Sequence, residues 1–415
     1  MIHALIAAVL LGPSVGALTS TPSCCYKLSA ALGSKVSNPD SSTYNTSISS
    51  YWSQQEQPIK PSCIIVPRSC NFVIAAAGTG RLQGSLIKDA VTIDLGGLDS
   101  IQISQDASSI SVGPDARGVS VPGGRDSPVG VRGTTLGTFN YFAPLAGFAC
   151  DDVISYEVVL ANGSIATATN RTHRDVWLAL KGTGNNLGIV TNFVFRTFPL
   201  GITLDAQLTA FSLMLNFAYS VATGSLLMAQ LSYAAQVQDP GAFRNLSIRT
   251  GQLAPPSFGQ VVFAVTFENS LSMLHTTFDI RNTSTVSISH IPGIAWSLSL
   301  VPIVPAITAQ SAVRGGNVLS LDDVPVQGLI LAILSASFNS SADNAAVSAA
   351  AERLRNSIIN AGTAEGVYND YVDNNHPGHW QNPIASYGSS NWEIIRETAE
   401  KYDSDGVFQP VGHVS

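Results

Sequence analysis

The sequence predicts an α+β protein built from two domains. Its 415 residues exceed the length of most single domains. Short β-type runs fill the first half, from "SCIIVP" at 62–67 to "LGIVTNFVFRTFP" at 187–199. Longer helical patterns mixed with strands follow from about residue 201 to residue 365. This change of pattern predicts a domain boundary near residue 200.

The first half contains a series of predicted strands. "AVTIDLGGL" at 90–98 is one of them, and the near-alternation in "SIQISQDASSISVGP" at 100–114 predicts a hairpin or two short strands. In "CDDVISYEVVLANGSIATATN" at 150–170, the Asn162-Gly163 pair predicts a tight turn between two strands. "RDVWLALKGTGNN" at 174–186 is an amphipathic helix that ends in glycine.

The second half combines strands with longer helices. "GQVVFAVTFEN" at 259–269 and "GLILAILSASF" at 328–338 are predicted strands, and residues 343–362 have the spacing and ends of a helix. The segment 385–409 predicts a loop followed by a helix. The apolar region from 201 to 235 is interrupted by polar residues and glycine, which favours a pair of core helices, or a helix and a strand, over a membrane span.

Composition excludes nucleic acid as the expected partner. The net charge is -7, and the 21 Lys and Arg residues are scattered along the chain, whereas nucleic-acid binding usually needs a basic face. Hydrophobic residues make up 45% and charged residues 12%, as in a globular protein. No metal site is predicted.

The N-terminus has the pattern of a secretory signal peptide. An apolar run from Ile2 to Leu11 precedes Pro13 and small residues, so cleavage is expected near Ala17. A buried N-terminal helix is the alternative. Secretion is also favoured by six sequons for N-glycosylation, at Asn45, Asn162, Asn170, Asn245, Asn282 and Asn339.

The five cysteines fit an oxidising compartment. The odd count leaves at least one thiol outside an internal disulfide. We predict one disulfide, from Cys24 or Cys25 to Cys63. Cys150 is expected to be a small buried core residue.

A glycine-rich stretch indicates close approach to the backbone. "VGVRGTTLGTFNYF" at 129–142 carries Gly130, Gly133 and Gly137. Closely spaced glycines are unfavourable in regular structure and usually mark a bend or a place where another group approaches the chain.

Several motifs in a fixed order resemble a known family. They are "VTIDL" (91–95), "VGPDAR" (112–117), "PGGR" (122–125), "VGVRGTTLG" (129–137), "GFACDDVISYEVVLANGS" (147–164), "DVWLALKGTGNNLGIVT" (175–191) and the C-terminal "SYG…KYDSDGVFQ" (386–409). In this combination the chain resembles the fungal FAD-linked oxidoreductases, the berberine-bridge-enzyme-like branch of the vanillyl-alcohol-oxidase superfamily.

The resemblance implies a two-domain PCMH-type FAD-binding fold. A discontinuous FAD domain would comprise residues 18–200 and a returning C-terminal segment, 366–415. A substrate domain of antiparallel sheet and helices would lie between them, at 201–365.

The resemblance also implies the site residues. Tyr371 and Asp370 would be catalytic, one of them serving as general base, although Tyr371 is equally expected to pack a domain interface. Gly188 has the alternative of being only the glycine that begins a strand. The residues implied to bind the cofactor are Gly123, Gly124, Gly130, Gly133, Gly137, Asp151, Gly188, Ile189 and Val190.

The chain departs from the family pattern in two segments. The segment with the histidine that tethers the flavin is missing, and no histidine lies between His3 and His173, so any FAD would be bound non-covalently. The tyrosine-bearing helix before "GGR" is missing as well. Phe139 stands where backbone access is expected, and Asp370 stands where the family has asparagine.

We therefore predict an FAD-linked oxidase acting on a small organic molecule of fungal secondary metabolism. FAD would accept a hydride equivalent and dioxygen would be the final electron acceptor. Two alternatives stay open, namely a family member that binds a small molecule without redox chemistry, and the product of an incomplete gene model.

Overall fold

The computed structural model describes residues 22–49, 55, 59–67, 91–116, 131–134, 137, 139–140, 142–184, 186–197, 211–233, 259–406 and 408. Within these ranges the strands form three sheets. Helices and antiparallel strands alternate along the chain in the α+β manner that the sequence predicts.

A small sheet lies near the N-terminus. It joins β1 (Val36–Ser37), β2 (Cys63–Ile65) and β3 (Val91–Ile93), with β2 antiparallel to β1 and parallel to β3. Helix α1 (Pro22–Leu32) is tied to it by a disulfide between Cys25 and Cys63. This confirms the predicted bridge and selects Cys25 over Cys24. Helix α2 (Ser42–Ser49) packs beside β2.

A five-stranded antiparallel sheet forms the centre of the first half. Its order is β4 (Ile101–Ile103), β5 (Ser109–Val112), β8 (Ile189–Arg196), β6 (Val153–Val159) and β7 (Ile165–Thr169). Both predicted hairpins are confirmed. The β6–β7 turn is closed by Asn162 Oδ1, which accepts from the Ser164 N–H at 2.9 Å, and Gly163 has a φ of 78°.

Three helices accompany this sheet. They are α3 (Val131–Thr134), α4 (Ala143–Ala146) and α5 (Arg174–Thr183). Helix α5 confirms the predicted amphipathic helix and buries Val176, Trp177 and Leu180. Its last turn is kinked at Lys181 and Gly182, where the backbone leaves the helical region.

A six-stranded antiparallel sheet dominates the second half. Its order is β10 (Gly224–Tyr233), β9 (Phe211–Ser220), β12 (Ala295–Ile303), β13 (Leu329–Phe338), β11 (Gly259–Glu268) and β14 (Tyr368–Asn369). Helices α6 (Leu271–Ser284) and α8 (Asn344–Ala364) pack on one face, and α7 (Pro305–Val313) follows β12.

Both faces of the central strand β13 are buried, which explains its continuous apolar sequence. Along β13, Leu329, Leu331 and Ile333 join the core shared with the five-stranded sheet. The alternate residues Ile330 and Leu334 join the core beneath α6 and α8. A strand covered on both sides has no polar face, so period-two alternation is absent from its sequence.

One predicted element is wrong. The apolar region at 201–235 was expected to contain helix, but its described part, 211–233, is the β9–β10 hairpin. The apolar residues of this hairpin lie on both of its faces, so they form a continuous apolar run in the sequence. A buried helix would give the same kind of run. No helix in the described ranges has the length and apolarity needed to span a membrane.

The C-terminal segment contacts both halves of the molecule. Strand β14 pairs with β11, with Tyr368 opposite Phe267. Helix α9 (Gly388–Tyr402) then packs on α5, where Lys401 Nζ lies 2.6 Å from Asp175 Oδ2. These contacts agree with a segment that returns to the first half, and the exact domain boundaries stay a prediction.

Candidate functional site

Two buried tyrosines stack where the chain crosses between the halves. The rings of Tyr371 and Tyr387 have centroids 6.2 Å apart and planes inclined by 19°. Tyr387 Oη donates to the Gly182 carbonyl at 3.0 Å. The Tyr371 hydroxyl is buried and has no hydrogen-bond partner within the described ranges. A buried hydroxyl without a partner calls for an explanation, such as a bound ligand or an ordered water.

Both tyrosines are held as neutral phenols. Burial raises the pKa of Tyr371 and of Tyr387 well above the ordinary value, and the negative charge of Asp373 raises it further. Asp373 is itself buried, and its Oδ2 lies 2.5 Å from His376 Nδ1. The tyrosines thus lie beside a buried carboxylate paired with a half-buried histidine.

The structure separates the two predicted catalytic residues. Tyr371 belongs to the buried cluster, whereas Asp370 is exposed. Their catalytic roles stay predictions. Sequence reasoning missed Tyr387 and Asp373. The "SYG" motif that contains Tyr387 was visible, but nothing in it shows that the ring stacks on another tyrosine.

Both carboxylate oxygens of Asp151 accept hydrogen bonds from protein donors. Its buried carboxylate accepts from the Phe148 N–H, from Ser311 Oγ and from Asn317 Nδ2, each at 2.9 Å. Burial raises its pKa even though these hydrogen bonds and Lys181 oppose the rise. The predicted contact of Asp151 with a cofactor stays a prediction, and the carboxylate connects the first half to the segment after α7.

Two cations lie beside Asp151, the buried Lys181 and the half-buried Arg314. Arg314 forms an ion pair with Asp152 and donates to the Leu145 carbonyl at 3.1 Å. Lys181 Nζ lies 3.7 Å from the centre of a Trp177 ring and donates to the carbonyls of Asp151 and Arg314, both at 3.4 Å. Burial lowers the pKa of Lys181 to about 8.

Gly137 lies at the edge of the same cluster. Its φ is +94°, and a Cβ added there would lie 2.9 Å from Leu319 Cδ2. Cys150 is buried, as predicted. Phe139, the residue expected to restrict access here, packs edge-on against Phe148 with centroids 5.3 Å apart.

Gly188 precedes β8 and is enclosed by protein. A Cβ at this position, where φ is +154°, would lie 2.6 Å from the Val159 carbonyl oxygen. Ile189 and Val190 pair with β6. Gly133 lies half-buried in α3. The remaining predicted cofactor residues, Gly123, Gly124 and Gly130, lie outside the described residues.

Metal chemistry finds no support among the residues that the structure describes. They contain no group of three or more His, Cys, Asp or Glu side chains placed to hold an ion. The Asp373–His376 pair therefore stands without a third ligand in these ranges.

The chain is similar over nearly its whole length to fungal flavoenzymes. It is 29% identical to an FAD-dependent monooxygenase of Emericella nidulans, over 93% of this chain and 96% of the relative. It is 26% identical to an FAD-dependent monooxygenase of Aspergillus calidoustus, over 96% of this chain and 90% of the relative. No family model matches.

Solved flavoenzymes share the fold. 6-Hydroxy-D-nicotine oxidase of Arthrobacter nicotinovorans superposes with a TM-score of 0.69 at 14% identity, covering 90% of this chain and 96% of the other. Glucooligosaccharide oxidase of Acremonium strictum, which carries a 6-S-cysteinyl, 8α-N1-histidyl FAD, superposes with a TM-score of 0.68 at 16% identity, covering 94% and 97%.

The predicted fold class, a two-domain PCMH-type FAD-binding fold of α+β type, is confirmed by these superpositions. The relatives and structural neighbours are FAD-dependent oxidoreductases, so the predicted enzyme class and the predicted cofactor are confirmed at that level.

Of the described residues, Tyr371 is compatible with a bound FAD, whereas the surroundings of Gly137 leave no room for one. The unpartnered Tyr371 hydroxyl is a buried polar group suited to a bound molecule. At Gly137, however, the space that a missing Cβ leaves for a ligand is filled by Leu319. Close approach of a cofactor to this glycine would require that side chain to move.

Proposed function

We propose that the protein is an FAD-dependent oxidase that acts on a small organic molecule of fungal secondary metabolism. The observation that carries this proposal is similarity over more than nine-tenths of the chain to fungal FAD-dependent enzymes. The substrate class rests on the family resemblance, and dioxygen is the proposed electron acceptor.

Tyr371 is the proposed substrate-binding group. FAD, when bound, supplies the two-electron acceptor. Because its pKa is raised, Tyr371 is a neutral phenol that can donate one hydrogen bond and accept another. It would therefore orient a substrate hydroxyl or amine. A neutral phenol does not accept the proton of that group, so the proposed role of Tyr371 is to bind and orient the substrate.

FAD is proposed to bind without a covalent tether. The chain has no histidine between His3 and His173, so the histidyl attachment of the family has no residue to form it. The alignment with the Emericella relative runs over 462 positions, more than the 415 residues of this chain. It therefore includes positions that this chain lacks, which supports the proposed missing segments.

The secretory pathway is the proposed location. The Cys25–Cys63 disulfide fits an oxidising compartment. The sequon residues Asn45, Asn162, Asn170 and Asn339 are exposed, as glycosylation requires.

The first experiment is the visible spectrum of the purified protein before and after acid denaturation. A flavin spectrum whose chromophore separates from the denatured chain is expected, because binding is proposed to be non-covalent. Folded protein that shows no flavin even after addition of FAD would contradict the proposal and favour a non-redox binder.

The role of Tyr371 is tested by peroxide production in a screen of small alcohols and amines. Tyr371→Phe is expected to lower kcat/KM about tenfold, because the variant loses one hydrogen bond to the substrate. Tyr156→Phe is the matched control, because Tyr156 is a buried tyrosine on β6 whose hydroxyl also lacks a partner. Equal activity of the two variants would exclude Tyr371 from the reaction.

A further inference from the structure

Leu319 fills the space between two glycines of the candidate site. It lies in the segment between α7 and β13 and is completely buried. A Cβ on Gly137 would lie 2.9 Å from Leu319 Cδ2, and a Cβ on Gly182 would lie 3.0 Å from the same atom. One methyl group of the second half therefore touches the glycine-rich stretch and the end of α5.

The segment that carries Leu319, residues 311–319, is held firmly on the first half. We name it the strap. Ser311 and Asn317 bind the Asp151 carboxylate, and Arg314 pairs with Asp152. Because these polar groups are largely buried, breaking any one contact would leave an unpaired donor or charge.

The end of the strap is fixed by backbone contacts. The Val318 N–H donates to the Lys181 carbonyl at 3.3 Å, and the Leu319 N–H donates to Asn317 Oδ1 at 3.0 Å. The backbone at Leu319 is thus held by its own N–H and by the N–H of the residue before it, so only its side chain would have to rotate to leave the space.

The surroundings of Leu319 belong to the candidate site. Gly137 is a predicted cofactor-binding residue, and the Gly182 carbonyl binds the hydroxyl of Tyr387, which stacks on Tyr371. Resting on the proposed function, we propose that Leu319 is the residue that controls access of FAD to the glycine backbone at Gly137, by occupying that space until the cofactor displaces it.

With Leu319 in this position, FAD should bind more weakly than it would to an open site. When only a minor fraction of molecules has Leu319 displaced, the apparent dissociation constant is the intrinsic constant divided by that fraction. Truncation of Leu319 removes the obstacle and should tighten binding. A residue that serves only to pack the fold would weaken binding when truncated, or leave it unchanged.

The experiment is titration of the flavin-free full-length protein with FAD, followed by quenching of flavin fluorescence. Leu319→Ala is expected to lower the dissociation constant about tenfold and to raise the association rate, as for a competent state populated to about a tenth. Val318→Ala is the matched control, because Val318 is equally buried and touches Gly182 but is not among the atoms nearest to Gly137. The dissociation constant of Val318→Ala for FAD is expected to stay within about twofold of the wild-type value.

The outcomes separate this proposal from the proposed function. Unchanged or weaker FAD binding by Leu319→Ala, with wild-type protein that binds, overturns the role of Leu319 alone. Absence of FAD binding in folded wild type and in all variants overturns the proposed function and leaves Leu319 no cofactor to exclude. If Leu319→Ala does not fold, the smaller truncation Leu319→Val must still bind FAD more tightly than wild type.

Discussion

Tyr387 Oη donates to the carbonyl of Gly182 at 3.0 Å, joining residues 205 positions apart in the sequence. Asn374 Nδ2 donates to the same carbonyl at 2.8 Å. Gly182 has a φ of +143° and lies in the kinked last turn of α5, so its carbonyl is free of the regular helical ladder. The kink thereby connects the predicted FAD domain to the loop that carries Tyr371.

Removal of this hydrogen bond should destabilise the protein measurably. Tyr387→Phe keeps the ring stacked on Tyr371 but leaves the buried carbonyl with one donor fewer. We expect a loss of about 1 kcal/mol in the free energy of unfolding, measured by urea denaturation. Tyr156→Phe removes a buried hydroxyl that has no partner, so it should cause no loss. Equal losses in the two variants would contradict the importance of the Gly182 contact.

Lys181 should make stability increase with pH in the alkaline range. Its pKa is lowered by burial to about 8 in the folded protein, from 10.5 in the unfolded chain, so the unfolded chain binds more protons between these values. Stability rises with pH wherever the unfolded state binds more protons. Relative to Lys181→Met, the wild type should gain about 2 kcal/mol between pH ~7 and pH ~9.5.

The comparison with Lys181→Met isolates this lysine from other groups. Burial raises the pKa values of Cys150 and of the buried tyrosines, so their ionisation opposes folding as the pH rises. Both proteins contain these groups. If the two proteins showed the same dependence of the free energy of unfolding on pH, folding would not lower the pKa of Lys181.

Gly147 should tolerate no side chain. Its φ is +76°, and a Cβ would lie 2.6 Å from Asp151 Oδ2, so Gly147→Ala combines backbone strain with displacement of a buried carboxylate. Gly366 has a similar φ of +71° and no atom within 4 Å of its Cβ position.

The difference between Gly147→Ala and Gly366→Ala therefore measures the crowding of Gly147 by Asp151 and by Gln310 Cβ, which would lie 2.9 Å from the added Cβ. It also includes the extra backbone strain at Gly147, whose ψ of −160° lies in a region that is essentially restricted to glycine. Gly366→Ala should cost about 1 kcal/mol in the free energy of unfolding, from backbone strain. Gly147→Ala should cost at least about 2 kcal/mol more, because Asp151 loses its alignment with its donors. Equal costs in thermal or urea unfolding would show that Asp151 and Gln310 move aside at no cost.

The disulfide should stabilise the N-terminal sheet. Cys25 and Cys63 are separated by 38 residues, a loop whose closure stabilises a protein by about 2–4 kcal/mol. Cys63→Ser should lower the midpoint of thermal unfolding, and dithiothreitol should lower that midpoint less in this variant than in the wild type. Cys150→Ala should keep the full sensitivity to the reductant, because that thiol is free.

Elements with a strong local signal were predictable. The β6–β7 hairpin followed from Asn162-Gly163, and α8 followed from its spacing and its ends, because turn chemistry and helical periodicity are properties of neighbouring residues. The β9–β10 hairpin was missed because a run of apolar residues fits a buried helix and a strand pair equally well.

The candidate site was predictable only in part. The family motifs led to Tyr371, Gly137 and Asp151, and the structure brings all three near the junction of the two halves. They did not lead to Tyr387, whose stacking partner is 16 residues away in the sequence and whose hydrogen-bond acceptor is 205 residues away.

The class of fold, the order of the local elements and the lack of histidine between His3 and His173 could all be read from the sequence, and Cys24 and Cys25 were the two candidates to pair with Cys63. The folded protein was needed to show that Cys25 is the partner, that the strap binds Asp151, and that Leu319 occupies the space beside Gly137. Local propensities act between neighbours in the chain, whereas these contacts depend on how two distant halves pack, and no pattern within either half contains that information.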